Sequence, residues 1–167
     1  MKKLSAILLV FILIMSLSAC KTDNKDADTT THIATVEDVQ LFFDKVCENK
    51  RHIDIIASNI CSAWKVAEGL PNATVKTVKT DVKKATNTYG DMLSEIDALD
   101  KEISYLYNKS KYPSLLNEVE QVMTAYENYT SLVLNPKIDG NTGGYNQISQ
   151  AKNSLDKALR NLRSALN

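Results

Sequence analysis

Along most of the chain, apolar residues recur at alternating intervals of three and four, which is the pattern of helices that pack along one seam. The longest such run has no exception. Its members are Val75, Val78, Val82, Ala85, Tyr89, Met92, Ile96, Leu99, Ile103 and Leu106. Similar runs begin at Leu115 and at Ile148. These three runs predict helices over about 74–107, 113–134 and 145–166.

A fourth helix, predicted over about 36–69, has a less regular pattern. Its apolar spacing is interrupted at Lys50, inside the polar sequence ENKRH at 48–52, where a kink or a short break could occur. Gly90 provides a second position for a kink, because glycine is a poor helix former.

Short connections at 69–74 and 108–112 favour antiparallel packing of the helices that they join. We therefore predict an all-α fold, an antiparallel up-down-up-down four-helix bundle with coiled-coil-like heptad packing. The predicted bundle domain comprises residues 35–167.

The first twenty residues follow a different pattern. Lys2 and Lys3 precede the apolar segment Leu4–Leu17, which as a helix would span only about 21 Å of the ~30 Å hydrocarbon core. A charged start, a short apolar segment and small residues after it are typical of a secretory signal. The sequence LSAC at 17–20 resembles the lipobox of bacterial lipoprotein signal peptides.

That resemblance implies cleavage before Cys20 and attachment of a palmitate-containing diacylglyceryl group to its sulfur. Residues 1–19 would be the signal peptide and residues 20–34 a lipid-anchored flexible tether, of which 21–31 are polar. The expected location is the extracytoplasmic face of the cell membrane, since two acyl chains anchor a protein stably. An ordinary signal peptide followed by a chance cysteine is the alternative.

The charge balance and the histidine content bear on two classes of function, nucleic-acid binding and zinc binding. Twenty basic and twenty acidic residues give no net charge, which argues against nucleic-acid binding. His32 and His52 are the only histidines. His52 shares a helical face with Glu48, but a zinc site requires at least three protein ligands. We predict no catalytic residue, no metal, no cofactor and no enzymatic activity.

Two thiols remain besides Cys20. Cys47 and Cys61 would lie about 21 Å apart on a continuous helix, too far for a disulfide. They are therefore predicted to be free, unless the chain reverses at 48–52.

The unequal predicted helix lengths suggest where a partner could bind. The first two helices would project beyond the others near residues 69–72, leaving an apolar seam with basic residues around it. The candidate partner-binding residues are Trp64, Lys65, Leu70, Lys76 and Lys79. Either the segment 135–147 covers this seam, or the seam is an exposed patch.

Tyrosines crowd the connection after the second predicted helix, at Tyr105, Tyr107 and Tyr112. They are expected to cap the end of the core or, alternatively, to form a binding patch. Taken together, the pattern predicts a surface-tethered, non-catalytic helical lipoprotein that binds a protein or a cell-envelope component. The alternatives are a prophage-type superinfection-exclusion lipoprotein and a structural or stress-response envelope protein without a tight ligand.

Overall fold

The computed structural model describes residues 33–68, 75–136 and 144–167, and this part of the chain is all-helical. It contains five helices: α1 (Val36–Glu68), α2 (Val75–Asn87), α3 (Gly90–Lys109), α4 (Leu116–Leu134) and α5 (Gly144–Leu166). The only β-type pairing in the described residues is an isolated bridge between Ile33 and Lys111. The predicted all-α class is confirmed.

The helix predicted over 74–107 is divided into two helices, because the chain leaves the helical conformation at Thr88 and Tyr89, directly before Gly90, the position considered for a kink. The Thr88 hydroxyl donates to the Lys84 carbonyl at 2.8 Å, a back-bond that competes with regular helical geometry. Tyr89 has φ −115° and ψ 47°. Gly90, a poor helix former, then begins α3. The heptad spacing continues across the interruption, which explains why periodicity did not reveal it.

Helix α1, in contrast, runs without a break through the polar sequence at 48–52. The apolar seam was expected to be interrupted at Lys50, but the fully buried position in this turn is Asn49. The seam also passes through Phe42, which is fully buried, whereas Phe43 is only partly so. The break considered at 48–52 is therefore not present.

One hydrophobic core joins all five helices, and α1 packs against each of the other four. Helices α4 and α5 also pack extensively against each other. The seams predicted for these two helices supply much of the core. Its members from α4 and α5 are Val119, Val122, Met123, Tyr126, Tyr129, Val133, Ile148, Ala151, Leu155, Ala158, Leu159 and Leu162.

Candidate functional site

The residues predicted to bind a partner differ in burial: Trp64 lies in the core, and the lysines are exposed to solvent. The Trp64 side chain is only 3% exposed, and its ring packs against that of Tyr145 with centroids 6.4 Å apart. The apolar seam was expected either to be covered by the segment 135–147 or to be exposed. At Trp64 it is covered, by Tyr145 from the first turn of α5. Leu70 lies outside the described residues, and the role of the five residues in binding stays a prediction.

The basic members of that surface are exposed. Lys65 lies in the last turn of α1, and Lys76 and Lys79 lie on α2, all three accessible to solvent. Lys83 extends the same face of α2 and is also exposed. In the described part of the chain, the ion pairs to Asp or Glu are made by other cations: Lys45, Lys50, His52, Lys101 and Lys152. Lys76, Lys79 and Lys83 thus present exposed positive charge that makes no ion pair in the described residues, although Asp81 lies on the same helix.

Inside the core, the polar sequence of α1 makes contacts that sequence reasoning missed. The Asn49 amide donates to the Ile96 carbonyl at 3.1 Å and to the Tyr126 hydroxyl at 2.7 Å. Tyr126 in turn donates to Asp100 Oδ1 at 2.8 Å. Because the Ile96 carbonyl can only accept, the orientation of the Asn49 amide is determined. Its Oδ1 atom is buried without a hydrogen-bond partner among the described residues.

A second polar cluster lies one turn further along α1, centred on Asp54. Its Oδ1 accepts from the Tyr129 hydroxyl at 2.7 Å, and its Oδ2 lies 2.7 Å from Lys50 Nζ and 3.1 Å from Lys152 Nζ. Lys50 also reaches Asp156 Oδ1 at 3.0 Å. Four side chains from three helices therefore converge on or beside one carboxylate, which links α1 to α4 and α5.

The protonation states of this cluster follow from its contacts. Burial opposes ionisation of Asp54, but the hydrogen bonds from Lys50, Tyr129 and Lys152 outweigh it and lower the Asp54 pKa. Burial likewise disfavours charged Lys50, yet Asp54 and Asp156 raise its pKa. Burial and the hydrogen bond to Asp54 raise the pKa of Tyr129 far above its usual range. Asp54 and Lys50 are therefore paired as ions, and the Tyr129 hydroxyl stays protonated near neutral pH.

Tyr126 also stays protonated near neutral pH, because burial and its hydrogen bond to Asp100 raise its pKa. One signal for these buried hydrogen bonds is present in the sequence. Tyr126 and Tyr129 occupy positions of the apolar seam, where a buried hydroxyl needs a hydrogen-bond partner. Their partners lie 26 to 77 residues away along the chain, beyond the reach of periodicity.

The two thiols are free and half-buried on the continuous helix α1. Burial raises the pKa of both Cys47 and Cys61, which keeps them protonated near neutral pH. His52 Nδ1 lies 3.5 Å from Glu95 Oε2. Within 33–68, 75–136 and 144–167, no group of three His, Cys, Asp or Glu side chains is arranged to hold a metal ion.

Two further observations concern the chain as a whole. None of the described helices is both long and apolar enough to cross a membrane. The sequence matches no protein-family model, no curated protein and no solved structure.

Proposed function

We propose that this protein is a lipid-anchored, non-catalytic helical module on the extracytoplasmic face of the cell membrane, which binds a protein or an envelope component. The observation that carries the proposal is the sequence LSAC at 17–20, placed directly after a short apolar segment with a basic start. Two acyl chains on Cys20 would hold the domain at the membrane surface.

The anchor is tested by growing cells with labelled palmitate. The wild-type protein should incorporate label and remain with the membrane fraction, and the Cys20→Ala variant should lose both properties. Cys61→Ala is the matched control, because it removes a thiol from α1 and should leave labelling unchanged. Equal labelling of the Cys20→Ala variant would contradict the lipid assignment.

We propose further that the helices form an antiparallel up-down-up-down bundle of four elements, with α2 and α3 as two parts of the second element. The order of the contacts supports this arrangement. From the start of α1 onward, contacts to α3 occur at progressively lower residue numbers: Lys45 with Glu102, Asn49 with Ile96 and His52 with Glu95. Residue numbers on α5 likewise fall as those on α1 rise. The contacts are Lys50 with Asp156, Asp54 with Lys152 and Trp64 with Tyr145.

Contacts from α1 to α4 follow the opposite order. Asn49 contacts Tyr126, and Asp54 contacts Tyr129, so residue numbers rise together on the two helices. This is the order expected when the first and third elements run the same way and the second and fourth run against them. The three- and four-residue spacing of the buried seams supports coiled-coil-like packing.

The binding surface that we propose comprises Lys65, Lys76 and Lys79, with Lys83 alongside on α2. Its exposed and unpaired positive charge fits an acidic protein surface or an anionic envelope polymer. Trp64, buried against Tyr145, would support the end of α1 beneath this surface rather than contact the partner directly.

Cross-linking on intact cells tests this surface. The wild-type protein should yield a defined cross-linked partner, and a variant with both Lys76→Glu and Lys79→Glu should lose it while retaining helix content. A variant with both Lys157→Glu and Arg160→Glu, which reverses charge at exposed positions of α5, is the matched control. Equal capture by both variants would contradict the proposed surface. Recovery of a phage DNA-injection component would support superinfection exclusion, and the absence of any partner would favour a structural role.

A further inference from the structure

Exposed apolar side chains are concentrated where the chain enters the described domain. We define the proximal end as residues 33–42 together with 105–116. Seven large apolar side chains are exposed in the described residues, and five of them belong to this end. These five are Ile33 at 64%, Val36 at 57%, Leu41 at 43%, Tyr105 at 59% and Leu116 at 47% exposed.

The two segments of the proximal end are joined by direct contacts. The Ala34 backbone N–H donates to the Lys111 carbonyl at 2.7 Å, and Ile33 pairs with Lys111 in the isolated bridge. The Phe42 ring packs against those of Tyr107 and Tyr112, with centroids 6.5 and 6.3 Å apart. These contacts fix the two segments, each of which carries exposed apolar side chains, against each other at one end of the domain.

The tyrosines near this end, which were expected to cap the core or to form a binding patch, include one buried and one exposed side chain. Tyr112 is buried and donates to the Leu106 carbonyl at 3.0 Å, so it does cap the core. Tyr105 instead points its ring into solvent, with Lys109 Nζ 5.2 Å from the ring centroid. A tyrosine beside lysines is the pairing typical of a membrane–water interface, where the ring enters the headgroup region and the lysine reaches water.

We infer that the proximal end rests on the lipid bilayer, with Ile33, Val36 and Tyr105 in contact with its interfacial region. This inference rests on the proposed lipid anchor at Cys20. Even fully extended, the 13 residues from Cys20 to Ile33 span at most about 45 Å. An anchored chain is thus held by this end, whereas Val66, at the other end of α1, lies a further ~45 Å along the helix axis.

Apolar contact, rather than charge, provides the main attraction. Lys109 and Lys111 are the exposed cations of the proximal end, and Glu37 and Asp38 stand on the first turn of α1 at the same end. These charges nearly balance. Contact with the bilayer should therefore depend only weakly on salt, unlike the binding of a basic patch to anionic lipid.

Tryptophan quenching by brominated lipid tests this contact. The full-length lipidated protein is reconstituted into vesicles of phosphatidylcholine and phosphatidylglycerol in equal parts, with dibrominated acyl chains. The Tyr105→Trp variant should lose emission in brominated vesicles relative to plain ones. The wild-type protein, whose sole tryptophan is the buried Trp64, should not. The matched control is Val66→Trp, because Val66 is 65% exposed at the other end of α1.

The possible outcomes separate the inference from the proposed anchor. Quenching of the Tyr105→Trp variant alone, reduced when Ile33→Ser and Val36→Ser are added, supports contact of the proximal end with the bilayer. Flotation with vesicles without that quenching would overturn the contact and leave the anchor intact. Failure to float and to quench would overturn both. Equal quenching of the Val66→Trp variant would show a domain lying flat, and emission that follows protein concentration instead of bromine would identify a second copy of the chain as the occupant.

Discussion

The Trp64 indole packs against the Tyr145 ring with the two planes tilted by 51°. This contact joins the last turns of α1 to the first turn of α5, and both flanking helix ends adjoin residues outside the described ranges. Trp64 is the one tryptophan of the chain and is nearly inaccessible to solvent. The pair therefore packs the end of α1 against the start of α5.

We expect Trp64→Ala to destabilise the protein by about 3–5 kcal/mol, because it removes a large buried side chain and leaves a cavity. Urea unfolding followed by circular dichroism measures the change. Val66→Ala, on the exposed side of the same turns, is the control and should have little effect. A Trp64→Ala variant of wild-type stability that had lost its partner would instead make Trp64 a direct contact residue.

The second prediction concerns Asp54. Its carboxylate forms ion pairs with Lys50 and Lys152 and accepts a hydrogen bond from the Tyr129 hydroxyl. Asp54→Asn keeps the shape but removes the charge that both lysines require. We expect a loss of about 2 kcal/mol in the free energy of unfolding, the usual scale for hydrogen bonds to a charged group.

The matched control for that change is Asp97→Asn. Asp97 pairs with Lys101 on the exposed surface of α3, and an isolated surface pair contributes little to stability. The two variants remove the same chemical group, so their difference in urea midpoint isolates the effect of burial and of multiple partners. Equal midpoints would mean that the Asp54 cluster does not stabilise the fold.

The thiols provide a third prediction. Cys47 and Cys61 lie on one uninterrupted helix, fourteen residues and therefore about 21 Å apart along the axis. After unfolding without reductant, both should react with a maleimide, and mass spectrometry should show the same number of labels with and without prior reduction. Labels that appear only after reduction would demonstrate a disulfide, which this helix does not permit.

The sequence predicted α4 and α5 well, because their buried side chains follow the seam spacing directly. Gly90 marked a possible kink in the second predicted helix, but the heptad spacing continues across Thr88 and Tyr89 and did not reveal that one helix ends there and another begins. The polar residues of α1 were harder still. Asn49 looked like part of a gap, and only the fold brings Tyr126 to it. Likewise, the burial of Trp64 depends on Tyr145, which lies far along the chain and is contributed by another helix.

Alkaline pH should destabilise the protein through Tyr126 and Tyr129. In the unfolded chain both phenols ionise near their ordinary pKa of 10.0, whereas burial and the carboxylates of Asp100 and Asp54 raise both pKa values in the folded state. Above about pH 10 the folded state thus binds more protons than the unfolded state, and the free energy of unfolding must fall as the pH rises. Lys50, whose pKa is also raised, contributes in the same direction.

Each tyrosine should contribute up to about 1.4 kcal/mol per pH unit to this loss, with no comparable loss below the ordinary pKa. Urea midpoints measured from about pH 8 to about pH 11 would show the onset. A variant with both Tyr126→Phe and Tyr129→Phe should have a lower midpoint near neutral pH but a flatter alkaline slope, because its unfolded state loses two fewer protons. Tyr105→Phe, at an exposed position, should keep the wild-type slope. Parallel slopes for all three proteins would show that the buried hydroxyls do not control alkaline unfolding.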